Sequence, residues 1–236
     1  MKQWWIALGS AFAFIALAAS VRLGLPNSLD VIIRGWARPH DVWGTAQLRA
    51  DLVVEGLRPS VLAMVLAIFT LAFSVKRRST RPAALVGGIC LATLAVTLAA
   101  KVAIGRLNPH GVLGNDQGSF PSGHTVVVVV CLGLCLLVAQ PRLAKWMWLI
   151  PALGAALMAA ALLLQAAHWA TDIVGGGLLA TAVLATVTAG GASRWLHDQS
   201  QNDHEAAESR PEPQLHSLTL MSASGIDSRA IDSRAT

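Results

Sequence analysis

His168 and Asp172 stand four residues apart, a spacing that puts both on one face of a helix. A carboxylate bonded to one imidazole nitrogen fixes the tautomer and leaves the other nitrogen's lone pair free, which makes a histidine nucleophile. Taken alone, the pair reads equally well as a polar contact that pins a helix end. Pro121-Ser122-Gly123-His124 adds a second element. Proline suits a helix start, serine supplies a capping hydroxyl, and glycine lets a ligand approach the backbone. The free N–H groups of such a start attract anions, and His124 stands beside them, placed to give a proton to a leaving oxygen. Lys101 offers a cation for a phosphate oxygen, or else snorkels to lipid headgroups. A cation, an anion-binding helix start and two histidines are the parts needed to bind a phosphate and transfer it.

The elements that must position these residues are long apolar blocks. Apolar residues make up 54% of the chain and charged ones 13%, with a mean hydropathy of +0.56, whereas ordinary globular chains carry about a quarter charged residues. A bilayer core needs roughly 20 apolar residues per helix. Six blocks qualify, at 4–21, 59–75, 83–104, 122–140, 146–167 and 171–191. The β-like run Val126 to Val130 lies inside one of them, and length decides for helix. The chain is therefore expected to be an all-α polytopic membrane protein with six transmembrane helices. The first block, with Lys2 before it and Leu17-Ala18-Ala19-Ser20 at its end, also resembles a cleavable secretory signal; its length and weakly charged start favour a retained helix.

Sidedness follows from lysine and arginine in short loops. Lys76-Arg77-Arg78-Ser79-Thr80-Arg81, Arg142 with Lys145, Lys2 and Arg194 all fall on one side of a six-span chain, which is the cytoplasm. Segments 22–58 and 105–121 and the turn at 168–170 lie outside, so the three clusters meet on the extracytoplasmic face and both termini are cytoplasmic. Residues 1–191 form the membrane domain, with 14 basic and 6 acidic side chains. Residues 192–236, with 4 and 7, end in a tandem Ile-Asp-Ser-Arg-Ala repeat and read as a disordered cytoplasmic tail. The basic excess sits in cytoplasmic turns, so it marks topology and no nucleic-acid partner is expected. Segment 26–57, with Trp36 and Trp43, suits either a cap over the site or an ordinary interfacial loop. Cys90, Cys131 and Cys135 lie within blocks and read as packing residues; no metal cluster or cofactor is expected.

With these blocks in hand, the chain resembles the type 2 phosphatidic acid phosphatase superfamily of membrane lipid phosphatases, which shares a four-helix-type core with vanadium haloperoxidases. That family shows Lys-x6-Arg-Pro, then Pro-Ser-Gly-His, then Ser-Arg-x5-His-x3-Asp, and the resemblance covers about residues 59–191. Here the second block is complete, the third keeps His168 and Asp172, and the first keeps Lys101 and Pro109. The resemblance implies that His168 accepts the phosphoryl group, Asp172 orients it, and His124 is the acid for the leaving group. Lys101, Ser122 and Gly123 would hold phosphate oxygens. Two arginines of the pattern are replaced, one by Asn108 and the other, with its serine, by Ala161-Leu162. Arg106, two positions from the first vacancy, is the expected substitute phosphate clamp, against the plain alternative of an arginine meeting headgroups. Gln165 offers one neutral donor.

The function expected is metal-independent hydrolysis of a lipid phosphate or diphosphate in the plasma (inner) membrane. Substrate and surrounding lipids are the partners; the sequence leaves the particular lipid and the oligomeric state open. A non-catalytic relative that binds or moves a phospholipid headgroup, or a phosphoryl transferase, are the alternatives. The retained histidines favour an enzyme and the replaced arginines favour a binder.

Overall fold

The structure, a computed structural model, describes residues 1–113, 118–139 and 146–192, all within one compact unit that spans Met1–Asp198. The proposed tail and the Arg142–Lys145 turn lie outside the described residues. Regular structure among the described residues is entirely helical: α1 Lys2–Arg22, α2 Asn27–Ala37, α3 Thr45–Gly56, α4 Pro59–Lys76, α5 Arg81–Ile104, α6 Gly123–Ala139, α7 Leu149–Leu164 and α8 Ala170–Ala189, with a 3-10 turn at Pro39–Asp41. Each of the six apolar blocks is a helix within a few residues of its expected ends.

Boundaries follow local chemistry. Pro59 and Pro82 stand in the first turns of α4 and α5, where a missing N–H leaves no bond unmade. Gly105 ends α5 in the left-handed region, φ 61°, and returns its N–H to the Lys101 carbonyl at 2.8 Å. Several threonines inside the helices bond back one turn, as Thr97 does to Thr93 O and Thr186 to Ala182 O. That satisfies their hydroxyls where no water is available.

Helix α6 is the core. It packs against α4, α7 and α8, and Val128, Leu134 and Val138 along it are fully buried. Conversely, α1, α4 and α5 turn many large apolar side chains outward, among them Phe12, Ile68, Leu91 and Leu94. An outward apolar surface of this kind belongs in lipid. By length and composition the candidates to cross a bilayer are Lys2–Arg22, Thr45–Lys76, Arg81–Ile104 and Ala170–Ala189. The remaining apolar helices, α6 and α7, have 17 and 16 residues, or roughly 25 Å of rise, somewhat short of a ~30 Å hydrocarbon core. Helix α1 packs along α8. It also stacks Phe14 on Phe120 at 5.9 Å, and the Phe120 ring lies against the face of Gly175, where no side chain intervenes.

Between α1 and α4 the wet segment is ordered as two helices. The cap helix α2 touches α7 and α8, and α3 packs on α7. Among the residues of α2 only Asp30 is buried.

Candidate active site

Three helix ends build the site. Lys101 lies in the last turn of α5 and is buried; its Nζ donates to the Gly118 carbonyl at 2.7 Å. Its aliphatic stem runs beside Gly123, where an added Cβ would sit 3.8 Å from Lys101 Cε. Ser122 precedes α6 and is fully buried. Its N–H donates to the main-chain oxygen of Asp172 at 2.9 Å, and its Oγ accepts from Thr125 at 3.3 Å. This ties the start of α6 to the start of α8. The approach is closest at Gly176, where a Cβ would come within 2.7 Å of the Ser122 carbonyl oxygen, so only glycine fits.

These ties bring the two histidines together. The rings of His124 and His168 stand 6.2 Å apart, edge to face. His168 Nδ1 faces Asp172 Oδ2 at 3.5 Å, beyond good hydrogen-bond length, and has no hydrogen-bond partner. The same Asp172 oxygen accepts the N–H of Trp169 at 3.1 Å, holding the turn that carries His168. Lys101, Ser122, Gly123, His124, His168 and Asp172 thus converge at one end of the helix bundle.

Arg106 also reaches this end, by a route the sequence did not indicate. Its Nη1 donates to Asp172 Oδ1 at 2.8 Å and to Thr171 Oγ1 at 2.7 Å; its Nη2 donates to Asp30 Oδ2 at 2.6 Å. Asp30 is 1% exposed, and it also accepts from Thr171 N at 3.0 Å and Thr171 Oγ1 at 2.6 Å. One guanidinium therefore sits between two buried carboxylates. Trp169 lies over it, 5.4 Å from ring centre to Cζ. A cavity of about 330 Å³ opens beside it, lined by Asn27, Val31, Arg106, Leu107 and Trp169.

The positions of the replaced arginines carry structural duties. Asn108 Oδ1 accepts the N–H groups of His110 and Val112 and closes the loop after α5. Leu162 is buried in the core. Gln165 donates its amide to Asp51 of α3 at 3.0 Å, while its carbonyl accepts from Arg38 at 2.9 Å, so it joins α7 to the cap. Asp30 and Thr171 were missed by sequence reasoning. The available signals were a lone acid between Leu29 and Val31-Ile32-Ile33, and a hydroxyl between the two residues of the His-Asp pair. No group of three or more metal-ligating side chains occurs among the described residues.

An end-of-bundle site of this composition defines a class. The model of the PAP2 superfamily matches residues 82–195, from the start of α5 through α8, so this stretch of the chain is similar to that superfamily. Among solved structures, the chain is similar to one described as the first transmembrane PAP2 type phosphatidylglycerolphosphate phosphatase from Bacillus subtilis. The TM-score is 0.69 at 19% identity, over 80% of this chain and 96% of that one. A search of curated proteins gave no match.

Proposed function

We propose that this chain is an integral membrane phosphatase that hydrolyses a lipid phosphate or diphosphate at the extracytoplasmic face, through a phosphohistidine. The reading is supported chiefly by the meeting of His124 with the His168–Asp172 pair beside the buried Lys101. The family match supports the same reading. Asp172 faces Nδ1 of His168, which directs Nε2 to phosphorus. As the P–N bond forms, the P–O bond to the lipid breaks and His124 gives its proton to the departing oxygen. Water then attacks the phosphohistidine, His124 takes a proton from it, and inorganic phosphate leaves with His168 restored. Lys101, Ser122 and Gly123 hold the phosphate oxygens. Arg106 supplies a second cation, and it must release a carboxylate to grip phosphate directly.

For the setting, we read the six long helices as six spans around a haloperoxidase-like core, with both termini cytoplasmic and the plasma membrane as location. The four cations between Lys76 and Arg81 stand at the start of α5, a helix of 24 residues, and Lys101 near its other end. That separation of roughly 30 Å suits opposite faces of a bilayer. No step in the scheme needs a metal.

One observation favours the second reading, a headgroup binder without turnover: both terminal nitrogens of Arg106 are engaged, while Asn108 and Leu162 carry no charge. Release of inorganic phosphate from a panel of lipid phosphates by the purified protein decides between the two. The phosphatase reading expects release that His168→Ala abolishes and EDTA leaves unchanged. Lipid phosphate binding without release establishes the binder.

A further inference from the structure

The family match begins at residue 82, so nothing in it assigns a role to the cap. Yet the cap sends one fully buried carboxylate into the site. Burying a carboxylate is costly unless donors surround it, and removing its partner leaves a charge uncompensated. Asp30 has a guanidinium, a hydroxyl and a main-chain N–H as donors, all within 3.0 Å. Thr171 closes a ring, since its hydroxyl accepts from Arg106 and donates to Asp30. Arg106 then extends the ring to Asp172 Oδ1, leaving Asp172 Oδ2 for Trp169 N–H and the face of His168. The two oxygens of Asp172 are thereby assigned to different neighbours. Without Asp30, the fork of Arg106 is free to take both oxygens of Asp172 side by side, the geometry guanidinium and carboxylate prefer. Asp172 would then turn away from His168.

We propose that Asp30 is a positioning residue for the reaction. It holds Arg106 and the first turn of α8 so that Asp172 presents one oxygen to His168. The inference rests on the phosphohistidine reading for its effect on turnover, but its geometric content stands apart from turnover. Besides Asp30, the charged and titratable groups in the network are Arg106, Asp172 and His168; the neutral amide oxygen of Asn27 stands 3.5 Å from Arg106 Nη2.

The test uses the full chain with Asp30→Asn and, because that variant is at risk of misfolding, Thr171→Val, which deletes the bridging hydroxyl and keeps the carboxylate. Two readouts are taken: phosphate release from lipid phosphate vesicles, and carbethoxylation of His168 by diethylpyrocarbonate, followed by mass spectrometry with the exposed His110 as internal reference. Asp30→Asn is expected to lower kcat at least tenfold with KM within about twofold. It is also expected to change the His168 labelling rate several-fold relative to His110. Thr171→Val should move both in the same direction by less, and Asp30→Glu should recover part of the loss. Folded variants with His168 labelling and kcat like the parent overturn the proposal. A parent chain that releases no phosphate defeats the phosphatase reading, and His168 labelling then decides the role of Asp30 by itself.

Discussion

Arg106 has to serve more than one neighbour at once. A guanidinium presents a planar fork of donors, whereas an ammonium is a compact point charge that cannot hold the same partners in fixed directions. Arg106→Ala should lower kcat/KM by about 10²-fold or more, and Arg106→Lys should recover only part of that. Steady-state kinetics separate the two duties. A side chain that grips phosphate shows its loss mainly in KM, and one that holds Asp172 shows it in kcat. Near-normal activity in both variants would leave Arg106 without a part in the chemistry. Restoring the family's pattern through Asn108→Arg has an added consequence: it removes the acceptor for His110 and Val112, so any gain in phosphate binding comes with a looser loop. At this scale the His-Asp pair and the Pro-Ser-Gly-His run were legible because their spacing is local. The Arg106–Asp30 contact spans 76 positions, and no periodicity connects such residues.

Helix contacts set the dimensions of the site. The meeting of α6 with α8 depends on a missing methyl group at Gly176, facing main chain at Ser122 that has no rotamer to escape into. Gly176→Ala should therefore destabilise by about 1–3 kcal/mol, and activity should fall by more than the loss of folded protein explains, because Ser122 and Asp172 move apart. A thermal melt in detergent alongside a specific-activity measurement checks both, and a normal melt with full activity would show that the helices part without harm. The six apolar helices were readable from block length alone. Helices α2 and α3 were left open, as a cap or an ordinary interfacial loop, because their apolar residues are interrupted by charges. The packing of α2 against α8 brings Asp30 the two donors of Thr171, and the loop after α5 brings it Arg106.

At the scale of the whole molecule, a turn with four cations and no acid stands apart from the candidate site. The turn Lys76–Arg81 lies at the far end of α5 from Lys101, and impermeant thiol labelling of intact cells tests the orientation. In a background lacking Cys90, Cys131 and Cys135, His110→Cys should be labelled from outside and Arg78→Cys should not. The opposite pattern would turn the molecule over and put the site in the cytoplasm. Length and hydropathy made the membrane character plain from the sequence, while α7 shows the limit of that reasoning. Helix α7, at 16 residues, is shorter than the apolar run that predicted it, since an apolar run does not mark where a helix stops.

The hydrogen bond from Thr171 N to Asp30 joins residues 141 positions apart, and that interval has a meaning in time. Ribosomes deliver the cap and then Arg106 well before α8, so during synthesis Asp30 has Arg106 in the chain 65 positions ahead of Thr171. A nascent chain halted before residue 168 would have a cap without its seat on α8 and would lack His168 as well. Residues 168–172 would then bring in His168, Thr171 and Asp172 together and add the contacts of Asp30 and Arg106 to the first turn of α8. On this order the candidate site is completed late, by one short stretch of chain at the start of α8.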